Sequence, residues 1–434
     1  MERNSRRFRT LLAALLVTIT TALVLPPGSS AQSKFRTLYK FKGGTDGRSP
    51  FGGVVSDSAG NLYGTAGGGS TNCYEGCGVV FTLTPNSNGN WSQSVLYSFC
   101  PLSGCLDGGV PAASLVFDGE GNLYSTTTAG GSTGNGTVFK LTHHPDGTWT
   151  ESVLYSFAGG PNDGSDPIGG LIFDNSGSLY GTTRYGGNTL FAGTVFKLTP
   201  NGDGSWSESV LYKFCSLANC PDGEQPEEGV TLDGAGNLYG TTTEGGLDAA
   251  GTVFELTPHR DRSWSQSVLH RFCSLKKCRD GIAPYDSLIF DQTGNLYGTT
   301  SGGGSNRGGT VFKLTPKAGG GWTESALHNF CTRTNCSDGN NPFAGLNFDA
   351  AGNLYGTTYY GGNTGDCAGS GCGVVFKLTP NSKGGWHETV LHAFIDHAGA
   401  RPFAGLMLDA AGNLYGTTSG DGDKTFGSVF EITP

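Results

Sequence analysis

Residues 167–214 read PIGGLIFDNSGSLYGTTRYGGNTLFAGTVFKLTPNGDGSWSESVLYKF. Four short runs rich in β-branched and aromatic residues stand out, each bounded by Gly, Pro, Asn or Asp. Pro167–Asp174 is strand a, and a tight turn at Asn175-Ser176-Gly177 leads into Ser178–Thr183, strand b. A glycine-rich loop leads to Gly193–Pro200, strand c, and a second turn at Asn201–Gly204 leads to Trp206–Phe214, strand d. Val195, Phe196 and Leu198 with Val210, Leu211 and Phe214 supply the apolar content of packed sheets. No helical period of useful length runs through the unit. Four antiparallel strands in roughly 58 residues predict one propeller blade.

The same unit recurs along the chain. The tyrosine of its Asn-Leu-Tyr-Gly segment stands at 63, 124, 180, 239, 297, 355 and 415. Trp91, Trp149, Trp206, Trp264, Trp322 and Trp386 open strand d in six units. Phe35–Phe41 is a lone copy of strand d, whereas Gly427–Pro434 is a copy of strand c with no strand d after it. Pairing the two closes a ring and removes the bare edge that tandem sheets otherwise expose. The reading is an all-β, seven-bladed propeller of four-stranded antiparallel blades, with the N-terminal strand completing the last blade.

The order Pro-x-x-Gly-Leu-x-x-Asp, then Gly-Asn-Leu-Tyr, resembles blades of NHL and gluconolactonase-like propellers. More closely, Gly236–Thr242 (Gly-Asn-Leu-Tyr-Gly-Thr-Thr) and Gly193–Pro200 (Gly-Thr-Val-Phe-Lys-Leu-Thr-Pro) resemble the signatures of the Gloeobacter–Verrucomicrobia (GloVer) tandem-repeat family. That resemblance covers nearly the whole mature chain. It implies export and no established enzymatic activity; the C-terminal sorting anchor common in that family has no counterpart before Pro434.

The first residues read as an export signal. Arg3, Arg6, Arg7 and Arg9 precede an apolar run from Leu11 to Leu25, then Pro26-Pro27-Gly28 and the small residues Ser29-Ser30-Ala31. The run is shorter than the ~20 residues of a membrane span. Residues 1–31 are expected to be a signal peptide and 32–434 a single propeller domain, secreted or periplasmic. Arg6-Arg7 resembles a twin-arginine signal, but Phe8 stands one place early for that pattern. The full chain carries net charge −9. Without residues 1–31 it keeps 23 basic and 35 acidic residues, a net −12. That balance argues against nucleic acid as a partner.

The 12 cysteines fall into six close pairs: Cys73/Cys77, Cys100/Cys105, Cys215/Cys220, Cys273/Cys278, Cys331/Cys336 and Cys367/Cys372. In an exported chain these predict six small disulfide loops. Structural zinc needs two such pairs to converge, and these are spread along the array. If strand a is innermost and d outermost, as the resemblance implies, d–a and b–c loops share one face of the disc and the tight a–b and c–d turns share the other. Every cysteine pair then falls on the first face, which is the expected functional one.

A residue present in every copy is read as scaffold. The Asp-Gly aspartates (Asp46, Asp107, Asp163, Asp222, Asp280, Asp338) fit Asx-type turns, with a ring of calcium ligands as the rival reading. His270, His328 and His392 replace a tyrosine of strand d in successive blades and read as structural. Candidates for function break the repeat. Along strand a, Ala112, Ser114 and Val116 and their equivalents are expected to face the channel. The ring at the mouth is Phe51, Ala112, Ile168, Glu227, Tyr285, Phe343 and Phe403, and b–c loops add Arg184-Tyr185, Glu244 and Tyr359-Tyr360. An aromatic cup of Phe51, Glu227, Tyr285, Phe343, Phe403, Tyr185 and Tyr360 suits a sugar, a peptide segment or a small apolar ligand, unless the rings simply plug the channel.

No Gly-x-Ser-x-Gly elbow, His-Glu-x-x-His pair or phosphate-binding loop is present. Glu227, Glu228 and Glu244 in one blade are thin support for paired-carboxylate chemistry. Glu227, Asp286 and Asn347 match the metal ligands of lactonase-type propellers only in part. The expectation is a monomeric, non-catalytic propeller without cofactor or bound metal, binding an extracellular protein or glycan through the stapled face. A metal-dependent hydrolase or lyase at the mouth is the first alternative, and a structural surface protein the second.

Overall fold

A computed structural model describes residues 33–69, 77–101, 104–363, 365, 367–395, 399–420 and 425–434. The signal-peptide reading of 1–31 lies outside these residues, as does Cys73. Seven four-stranded antiparallel blades form a β-propeller, and no α-helix occurs among the described residues. No helix there is long and apolar enough to cross a membrane.

Blade 3 is built from Ile172–Phe173, Leu179–Thr183, Thr194–Pro200 and Trp206–Lys213, in that spatial order. Gly181, on its second strand, faces the ring of Phe196; a Cβ there would lie 2.7 Å from that ring. Close packing of strand against core thus leaves little room beside Phe196 and favours a small residue, glycine here and Ser125 in blade 2. The Asp174 carboxylate accepts hydrogen bonds from the Ser176 and Ser178 amides at 2.8 and 2.9 Å and from the Tyr180 hydroxyl at 3.1 Å. The carboxylate thus closes the turn at Asn175-Ser176-Gly177.

The core lies between blades rather than within them. Phe214, which ends blade 3, meets Phe254 of blade 4 edge to face at 5.0 Å, and both are fully buried. Phe41–Phe81, Phe99–Phe139, Phe157–Phe196, Phe272–Phe312, Phe330–Phe376 and Phe394–Phe430 repeat the contact around the ring. T-shaped pairs of this kind add to the burial of the rings themselves.

The ring closes as the two end copies require. Lys34–Lys40 pairs antiparallel with Ser428–Thr433, from Lys34↔Thr433 to Lys40↔Ser428, and completes the sheet of Leu414–Thr418 and Met407–Leu408.

The innermost strand departs from expectation. Of the eight residues assigned to strand a in blade 3, only Ile172–Phe173 pair with the next strand. The preceding segment opens with proline and two glycines and turns toward the adjacent blade. A threonine of each second strand donates to the carbonyl there: Thr65 to Ala113, Thr126 to Gly169, Thr182 to Glu228 and Thr241 to Asp286. Thr299 to Ala344, Thr357 to Ala404 and Thr417 to Gly52 complete the circle. Seven latches thus join every blade to its neighbour near the axis.

Candidate functional site

The mouth of the channel is filled, not cupped. Phe343 and Phe403 stack at 5.6 Å, Tyr285 meets their edges at 5.0 and 5.6 Å, and Phe51 meets Phe403 at 5.6 Å. Tyr359 packs against Phe343 and Phe403 and also meets Tyr360 at 4.7 Å. At the other edge the buried Glu227 carboxylate pairs with Arg184 at 3.0 Å and accepts a 3.4 Å hydrogen bond from the Tyr285 hydroxyl. Arg184 lies over the Tyr185 ring at 5.0 Å. All seven candidates from the sequence therefore belong to one contact network, whose centre is a plug. Burial pushes Glu227 up to about 7, with Arg184 pulling the other way.

Below the plug lies a cavity of about 240 Å³. Gly53, Ser114, Gly170, Ser287, Gly345 and Gly405 line it, but so do Gly52, Val54, Leu346, Ala404 and Leu406, so the alternation expected along strand a does not hold here. Val55, Ile289 and Asn347 line it two residues further on. Glu227 is not part of this lining, so Glu227, Asp286 and Asn347 do not share the cavity as a ligand set.

In its place stands Glu228, with Asp286 from the next blade. Five blades carry Gly or Ala at this position: Gly52, Ala113, Gly169, Ala344 and Ala404. The sequence reading named Glu228 with Glu227 and Glu244, and Asp286 with Glu227 and Asn347, and did not bring the two together; comparing that column across the repeats was the available signal. Glu228 accepts the amides of Gly170 and Gly229 at 3.4 and 3.3 Å. Asp286 accepts those of Ser287 and Gly345, and the Asn347 amide donates to the Leu406 carbonyl. These groups serve backbone that has left the ladder, as buried polar main chain requires. Burial, then the neighbouring Asp286, pushes Glu228 well above the carboxylate range; burial lifts Asp286 to about 6. The charge of Asp286 thus adds to burial in favouring the neutral form of Glu228.

The loops form one face as expected. In six blades the d–a loop bridges the b–c loop of the blade it leads into: Arg48↔Gly68, Gly109↔Ala129, Ser165↔Tyr185, Glu224↔Glu244, Ile282↔Gly302 and Asn340↔Tyr360. Cys100–Cys105, Cys215–Cys220, Cys273–Cys278, Cys331–Cys336 and Cys367–Cys372 are disulfides, and Cys77 is disulfide-bonded. The Asp-Gly carboxylates hold this face in shape. Asp107, for instance, accepts the Tyr97 hydroxyl at 2.9 Å and the Cys100 amide at 2.8 Å. His270 takes the tyrosine's part beside Asp280 at 3.2 Å, whereas burial pushes His328 and His392 down to about 4.

This face also carries an apolar crown that the sequence reading missed. Leu106, Leu190, Phe191, Leu217, Leu247 and Leu275 each expose half or more of their surface. Every one sits in a d–a or b–c loop. Among the described residues, no other large apolar side chain is so exposed.

Fold and site together define a disulfide-stapled seven-bladed propeller with a plugged channel and a decorated loop face. The chain belongs to the Gloeobacter/Verrucomicrobia repeat family, whose profile matches residues 74–289 and 265–434. No curated protein matches it. Among solved structures it is similar to the extracellular domain of a protein assigned as a hybrid two-component system from B. thetaiotaomicron, at 10% identity and a TM-score of 0.53. That match covers 92% of this chain but only 39% of the other. A protein from Thermus thermophilus assigned as an oxidoreductase (glucose dehydrogenase) is similar at 16% identity and TM-score 0.44, covering 92% of this chain and 100% of that one. A luciferin-regenerating enzyme is similar at 15% and 0.43, covering 74% and 90%. At such identities the likeness is one of fold.

Proposed function

We propose that this chain is exported, loses residues 1–31, and serves as a non-catalytic propeller that docks an extracellular protein through its stapled face. The observation that carries this reading is the crown. Six large apolar side chains stand in water on one face of a chain that buries most of its other large apolar groups. Large apolar side chains gathered on linked loops of one rigid face favour a docking surface. Leu190, Phe191, Leu217 and Leu247 lie on loops tied together, since Asn188 donates to the Phe214 carbonyl at 2.6 Å and Gly246 to that of Cys220 at 2.8 Å. The plugged mouth favours a partner that lies across the disc over one that enters the channel.

The test is a Leu217→Ser/Leu247→Ser double variant of residues 32–434. At such exposed sites its stability should stay within about 0.5 kcal/mol per site of the parent. Surface proteins of the producing cells are cross-linked to each form, and a specifically retained protein is purified and titrated directly. Affinity at least tenfold weaker for the variant supports the reading. Equal affinity overturns it, as does a parent protein that uses the crown only to dimerise, seen by sedimentation.

A further inference from the structure

Four sister loops, each closed by a Cys-x4-Cys disulfide, differ at one telling place. The residue before the second cysteine is left-handed in all four, at φ 95° for Gly104, 66° for Asn219, 64° for Lys277 and 57° for Asn335. Gly and Asn suit that backbone and Lys does not. The same loop exposes Lys276 and Arg279, where its sisters carry Ser103, Ala218 or Thr334 and Leu106, Pro221 or Ser337. Arg307, also exposed and left-handed at φ 65°, stands on the next loop, which is tied on by the Gly304 amide donating to the Cys278 carbonyl at 2.9 Å. None of these four cations belongs to an ion pair in the described structure, whereas Arg184, Lys197 and Arg333 do. In a chain this acidic, four unpaired cations on adjoining loops form a local inversion of charge.

The loops that carry the cations lead on to a groove. Asn306 donates to the Cys331 carbonyl at 2.7 Å, and Gly362 to that of Cys336 at 3.0 Å, so the loops form a continuous arc. The groove is lined by Asn335, Asn340, Asn341, Tyr360 and Ser370, with a volume of about 620 Å³. Arg401 lies 6.0 Å from the Tyr360 ring. Amides, a hydroxyl and an aromatic face are the groups that hold sugar rings, and the flanking cations would hold acid groups along the same chain.

We propose that this arc, from Lys276 to Tyr360, is a subsite for an acidic polysaccharide whose sugars carry carboxylates. It adds to the protein-docking reading and does not depend on it, since its cations and groove residues are not crown side chains, and Leu275, which shares the loop of Lys276 and Lys277, is unchanged in every variant. The probe is polygalacturonate, with dextran, a sulfated dextran and phosphatidylglycerol vesicles beside it, each against residues 32–434. Retardation by polygalacturonate but not dextran is expected, weakened at least fivefold in Lys277→Asn and in Tyr360→Ala. Lys277→Asn installs the residue of two sister loops, so loss of fold does not confound it. Sulfated dextran binding that Tyr360→Ala leaves unchanged, while polygalacturonate fails, overturns the carboxylate assignment. Vesicle binding without glycan binding overturns the glycan itself, and so does polygalacturonate affinity equal in parent and variants. Failure here with the Leu217/Leu247 result intact leaves protein docking standing.

Discussion

Glu151, Glu208 and Glu324 occupy a position on strand d where two other blades carry Gln93 and Gln266. The glutamines donate to the backbone carbonyls of Asp46 and Asp222 at 3.2 and 3.1 Å. Each glutamate instead buries one carboxyl oxygen with no partner. Burial, then Asp107, Asp163 or Asp280 respectively, pushes the three up to about 7. A folded pKa above the unfolded value means the native state binds the extra proton. The stability this confers is complete below about pH 4.5 and is lost as pH rises through 7. Glu208→Gln and Glu324→Gln should therefore raise the melting temperature at pH 8 and do little at pH 4.5. Solvent screening at these partly open sites holds the gain to about 1 kcal/mol each, or about 1 °C in a chain this long. Scanning calorimetry at the two pH values checks it; an equal gain at both would point to a cause other than the buried charge.

At the scale of the element, the inner segments are held more by neighbours than by their own sheets. Thr182→Val keeps shape but leaves the Glu228 carbonyl without its donor. It should cost about 1–2 kcal/mol in urea unfolding, and the same change at Thr65 or Thr417 should cost as much, because the latch is the same at every seam. An unchanged midpoint would show that water replaces the hydroxyl. The latch also marks what the sequence could tell. Turns, strands b to d and the loop face were legible, because Gly, Asn, Asp and period-two patterning act locally. The extent of strand a was not, because its first residues bond across to another blade. Glu228 was not matched with Asp286 for the same reason, since parity along a strand is meaningless before the ladder begins. The aromatic residues at the mouth could be named from the repeat, but whether their rings met one another depended on distances across the axis. The crown escaped because exposure of a leucine in a loop has no local signature.

For the whole molecule, the repeat and its two unequal ends sufficed to predict ring closure, and Lys34↔Thr433 is its register. Deleting residues 33–41 removes the outer strand of blade 7 and the Phe41–Phe81 contact with blade 1. It bares the edge of Ser428–Thr433, so the shortened chain should aggregate or elute as oligomers where residues 32–434 elute as one species. A monodisperse product with unchanged melting temperature would mean that the seam contributes little. The seam has a further meaning. In blade 3 the antiparallel pair Pro200↔Trp206 is joined by the five residues from Asn201 to Ser205, and the pair at the seam lacks only such a link. A turn of that length from Pro434 to Ser33 makes the backbone an uninterrupted circle, which can then be opened at any of the six other c–d turns. Where the polypeptide starts is interchangeable among seven nearly equivalent places, and circular permutants become a means of bringing a fused domain to any chosen blade on the plain face while the stapled face stays free.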